Sequence, residues 1–103
     1  MSWLWLGLAG LLEVGWALAM KLSEGFTRPL PTLLMLAGMV ASFGLLALAM
    51  RDLPLGTSYA IWTGIGAVGT LAVGALYLGE SLSLQRVIAG LLIVTGMVLM
   101  KTA

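Results

Sequence analysis

The chain has 103 residues, of which 61% are hydrophobic and only 9% charged, against about 25% charged in an ordinary soluble domain, so an independently soluble globule is excluded. Five basic residues against four acidic ones leave a net charge of +1, which gives no electrostatic footprint for nucleic acid and no polybasic lipid-binding tail. The absence of cysteine and histidine removes disulfides, thiol chemistry, most zinc and haem sites, and imidazole acid-base catalysis.

The few charges act as punctuation. Trp3 to Met20 is apolar except for Glu13, and Pro29 to Met50, Leu53 to Gly79 and Val87 to Met100 carry no charge. A helix needs about 20 apolar residues to cross a bilayer core of about 30 Å. The last stretch becomes long enough if Arg86 snorkels toward the headgroups. The pattern predicts four transmembrane helices, at residues 3–20, 32–50, 57–78 and 83–100, forming one all-α transmembrane domain over residues 1–103. Pro29, Pro31 and Pro54, with Gly25 and Gly56, mark the first two connections. Ala17-Leu18-Ala19 has the spacing of a signal-peptide cleavage site, but no basic residue precedes the apolar run and Glu13 interrupts it.

Glu13 is the only ionisable group well inside any span. Placing a charged carboxylate there costs about 2.5 to 3.5 kcal/mol on insertion scales. A site for a proton or a cation explains that cost, since either one compensates the carboxylate; the bland alternative is a protonated Glu bonded between helices. Gly10, Trp16 and Ala17 share the Glu13 face, the small residues leaving room and Trp16 offering an indole donor. In the second span Gly38 and Ser42 form a small-xxx-small pair that admits a neighbouring backbone.

In the third span Tyr59 and Trp62 bring a phenol and an indole to one face. Gly64-Ile65-Gly66-Ala67-Val68-Gly69 spells the dinucleotide fingerprint, but it lies inside a membrane span rather than after a strand. Glycines 64, 66, 69 and 74 are expected to thin this helix for close packing and to let it bend, with Gly64 and Gly66 as candidate hinge positions. In the fourth span Ala89 and Gly96 make a small-residue seam suited to dimerisation. The seven Met residues read as soft packing rather than metal ligands.

Four spans put Arg51 and Lys101 on one side and Lys21, Arg28 and Arg86 on the other. So even a division barely fixes orientation by the positive-inside bias. It favours a dimer of oppositely oriented copies, which would recreate the inverted repeats of larger transporters.

Glu13 followed by Trp16, and the run Leu53-Pro54-Leu55-Gly56-Thr57-Ser58-Tyr59-Ala60-Ile61-Trp62-Thr63-Gly64-Ile65-Gly66-Ala67-Val68-Gly69, resemble the small multidrug resistance family over essentially the whole chain. Trp62-Thr63-Gly64-Ile65-Gly66-Ala67 and Gly25-Phe26-Thr27-Arg28 resemble its guanidinium-exporting subtype more than its quaternary-ammonium exporters. The resemblance implies an antiparallel, dual-topology homodimer in the bacterial inner membrane that exchanges protons for guanidinium and uses no cofactor. It also implies that Glu13 of both subunits holds proton or substrate, supported by Trp16, Ser42, Tyr59 and Trp62. Guanidinium suits such a site because its N–H fork matches a carboxylate. On that reading Ser42 and the indoles would orient the carboxylates. The alternatives are an exporter of quaternary ammonium or lipophilic cations and a non-transporting assembly subunit. A membrane enzyme has little support from one carboxylate without His or Cys.

Overall fold

The computed structural model describes residues Met1–Ala103 and contains four helices: α1 (Ser2–Leu22), α2 (Pro29–Ala49), α3 (Leu55–Tyr77) and α4 (Leu84–Thr102). Each is long and apolar enough to span a membrane, and there is no strand, so the protein is an all-α membrane protein. The chain begins α2 at Pro29 rather than at Thr32. Both prolines fall in the first turn, where the missing N–H has no intrahelical partner to lose and the fixed φ suits a helix start. Ser83 caps α4, its hydroxyl accepting from the Arg86 N–H at 3.2 Å. The Arg86 guanidinium turns back to donate to the Ser81 carbonyl at 2.8 Å.

Two turns are built from local bonds. Between α1 and α2 the Ser23 hydroxyl is fully buried, donating to the Met20 carbonyl at 2.6 Å and accepting from the Phe26 N–H at 3.1 Å. Glu24, Gly25 and Phe26 follow one another in the left-handed region, with φ of 49°, 72° and 69°. Beyond α3, Gly79 takes φ +70°, and this lets the N–H groups of Leu78 and Glu80 both donate to the Gly74 carbonyl at 3.1 Å, closing the helix in the manner that glycine favours.

The helices lie side by side in the order α2, α1, α3, α4, with α1 packed on both α2 and α3, and α4 packed chiefly on α3. The result is a slab measuring 40 × 34 × 17 Å. Lipid supplies no hydrophobic drive between helices, so close approach depends on small residues. A side chain at Gly10 would overlap Ile65, one at Gly38 would meet Trp16, one at Gly69 would meet Val14, and one at Gly64 would meet Met97 of α4. On α4 Gly90 faces α3 beside Leu71, together with Ile93 and Met97 beside Gly64, whereas Ala89 is exposed and a side chain at Gly96 would meet nothing within 4 Å. The seam drawn from Ala89 and Gly96 is therefore on the free side of α4.

The buried core of Leu6, Ala9, Leu46, Ala49, Ile61 and Trp62 gathers where α1 begins, α2 ends and α3 begins. Two polar contacts fasten the same end. Ser2 Oγ donates to Asp52 at 2.8 Å, and the Lys101 ammonium stands 5.1 Å from the centre of the Trp3 ring.

Candidate binding site around Glu13

Glu13 projects from the middle of α1 onto α3 at Gly66, where any side chain would collide with its carboxyl group. It is half-buried, and its Oε1 is shielded from solvent without a hydrogen-bond partner. The bare backbone of Gly66 is what lets a carboxylate fit between two packed helices. Gly10, expected to leave room beside the acid, is instead filled by Ile65. The space at Glu13 comes from α3 and not from its own helix.

Trp16 lies one turn along but faces the other way, its Cβ against Gly38 of α2 and its ring edge-on to Phe43, with centroids 6.2 Å apart. Its Nε1 is a second shielded polar atom without a partner. Phe43 continues the stack to Trp62 at 5.7 Å, and Tyr59 leans on Trp62 at 5.5 Å. Four aromatic rings thus run from α1 across α2 to α3.

Beneath the rings a chain of two hydrogen bonds ties three helices together. Trp62 Nε1 of α3 donates to Ser42 Oγ of α2 at 3.0 Å, and Ser42 Oγ donates to the Ala9 carbonyl of α1 at 2.7 Å. Ser42 is completely buried and Trp62 only 6% exposed. The hydroxyl expected to orient a carboxylate instead gives its one proton to the α1 backbone, where the Ala9 carbonyl has a second lone pair beyond its helical bond.

Of the five residues singled out from sequence, Trp16, Ser42, Tyr59 and Trp62 are linked across α1, α2 and α3 by ring contacts and a hydrogen bond, whereas Glu13 sits apart from them, against Gly66 of α3. Ser42 and Trp62 are sealed in, Glu13 and Trp16 are part-buried, and Tyr59 is 52% exposed. Two neighbours escaped the sequence reading. Phe43 links the two indoles, and its place directly after Ser42 in an uncharged span gave no separate signal. Ser58 is fully buried with an unpartnered hydroxyl, and its spacing of four from Trp62 on one helix face was the available clue. Two uncommitted polar atoms therefore lie on different sides of α1, an acceptor at Glu13 toward α3 and an indole donor at Trp16 toward α2, the latter at one end of the aromatic row.

A sequence model of the small multidrug resistance proteins matches residues 1–95. The chain belongs to the small multidrug resistance family. Among curated relatives, the guanidinium exporter of Yersinia pseudotuberculosis is 52% identical over 103 residues, covering 100% of this chain and 99% of the relative. The guanidinium exporter of Proteus vulgaris is 48% identical over the same length and coverage. That of Citrobacter freundii is 52% identical over 101 residues, 98% of this chain and 96% of its own. With four membrane-crossing helices and this membership, the protein is a multi-pass protein of the bacterial inner membrane.

Proposed function

We propose that this protein exports guanidinium in exchange for protons. The observation that carries the reading is the lone mid-membrane carboxylate of Glu13, seated on Gly66 with an uncommitted oxygen, in a chain similar over its full length to relatives named guanidinium exporters. Guanidinium presents planar N–H pairs to a carboxylate and a flat face to aromatic rings. Trp16 contributes its free indole and the ring wall, while Trp62 and Ser42 hold α1, α2 and α3 in register around the acid. Tyr59, exposed beside Trp62, borders the approach.

Proton and guanidinium compete for Glu13, so the carboxylate is handed from one to the other and is compensated at each stage. The work is transport and not catalysis of a covalent step. The functional unit is an antiparallel homodimer in which all of residues 1–103 act as one domain and both copies supply a Glu13. The near-even division of basic residues between the two sides supports the dual topology, and so does the free outer face of α4, which carries Ala89 and Gly96. Gly64 and Gly66, packed against α4 and α1 respectively, are the positions about which α3 shifts as the open side alternates.

The test is proton flux from proteoliposomes containing only this protein. Guanidinium added to one side should draw protons out to that same side, and Glu13→Gln should abolish the coupled flux while leaving assembled protein. Robust exchange by that variant, or exchange of tetraalkylammonium and not of guanidinium, would overturn the reading.

A further inference from the structure

A cavity of about 480 Å³ opens between α1 and α3 on the side away from the buried core, and its lining includes Ala17, Lys21, Thr70, Gly74 and Glu80. It begins one helical turn from Glu13. Ala17 is four residues after the acid on α1, and Thr70 is four residues after Gly66 on α3. At its far end stands another carboxylate on a bare backbone. The Gly79 turn folds the chain back so that Glu80 bonds the Gly74 carbonyl through its N–H, and its side-chain carboxyl lies where a side chain on Gly74 would be. Glu13 on Gly66 and Glu80 on Gly74 thus repeat one arrangement eight residues apart along α3. That spacing corresponds to about 12 Å of helix axis.

We propose that this cavity is a second cation site, with Glu80 as its carboxylate, where guanidinium pauses between water and Glu13. The assignment of guanidinium as the ligand rests on the function proposed above. Glu80 is exposed, so it meets a hydrated cation without the desolvation that Glu13 demands. The glycines on which the two acids rest are about 12 Å apart along α3, so Glu80 is a station separate from Glu13. Lys21 lines the same cavity and competes with the arriving cation for Glu80. Occupancy is therefore brief, as a station on a path requires. Thr70 lies between the acids with its hydroxyl proton given to the Gly66 carbonyl at 2.7 Å, leaving oxygen lone pairs toward a passing N–H.

Two measurements decide the matter. In Glu13→Gln protein in bilayers, the carboxyl carbon resonance of Glu80 should shift with tens of millimolar guanidinium chloride and not with equal potassium chloride. In wild-type proteoliposomes at low salt, Glu80→Gln should raise KM for guanidinium about fivefold, as for opposite charges meeting at about 4 Å in water. Lys21→Gln should lower KM, and both effects should shrink in high salt. Absence of the resonance shift, or KM values that move in the same direction for both substitutions as a latch between Lys21 and Glu80 would require, overturns the second site. Failure of wild-type protein to exchange guanidinium for protons would instead defeat the function itself, and the resonance measurement stands apart from it.

Discussion

The two ends of the slab are built on different rules. Where α1 starts, Leu6, Ala9, Leu46, Ala49, Ile61 and Trp62 exclude lipid and water, Ser42 and Trp62 tie three helices by hydrogen bonds, and Ser2 to Asp52 and Lys101 over Trp3 close the rim. Where α1 ends, the same helices part around a cavity bordered by Lys21 and Glu80. Glu13 lies at the boundary between the two halves. Glu13 thus has the packed core on one side and, one helical turn away on the other, the cavity.

That division can be broken in graded steps. The largest expected effect is at the boundary, where Gly66→Ala puts a methyl group against the Glu13 carboxyl. Displacing a functional group by an ångström can cost about 10²-fold in rate, so guanidinium flux should fall on that scale while thermal unfolding in detergent stays close to wild type. Loss of fold without loss of specific flux would contradict the role given to Gly66.

Next come substitutions in the closed half. Gly10→Ala meets the Cβ of Ile65 at 2.7 Å, a stiff part of its neighbour, and overpacking of this kind costs about 1 to 3 kcal/mol. Its unfolding midpoint should drop, whereas Gly7→Ala on the same helix, with nothing within 4 Å of the added methyl, should leave it unchanged or raise it through helix propensity. Ser42→Ala strands the Trp62 indole N–H and frees the Ala9 carbonyl. A buried donor left unpaired costs about 1 to 3 kcal/mol, and cross-helix bonds in membranes average nearer 0.6 kcal/mol. A loss of about 1 kcal/mol with altered tryptophan fluorescence is expected, and an unchanged spectrum would show that the indole has another partner.

The smallest effect belongs to the rim. Lys101→Ala removes a cation-π contact of about 0.5 to 1 kcal/mol at an exposed site. A clearly larger destabilisation would mean that α4 depends on Trp3 as well as on α3.

Much of this architecture can be read from the residues alone, and the reasons differ by element. Four spans follow from the spacing of charges, because a bilayer imposes length and polarity directly on sequence. Glu13 stands out because its cost in lipid is independent of the fold. What could not be read were the tertiary choices. Nothing local says that Ile65 fills the groove at Gly10, that Trp16 turns to Gly38 and away from the acid, or that Gly90 instead of Ala89 faces α3. The first turn of α2 was misjudged for a different reason: Pro29 and Pro31 carry the same identity whether they break a helix or begin one, and only their position in the turn decides.

The Ser23 turn bears on how the protein is made. Every bond that shapes it lies between Ala19 and Arg28, and the close contact of Trp16 with Gly38 lies within the two helices it joins. The hairpin of α1 and α2 therefore contains its own folding instructions before α3 is synthesised. That hairpin carries Lys21 and Arg28 together at its bend, the kind of residues on which the positive-inside bias acts. The dual topology proposed above would then require only an indifferent choice at that moment.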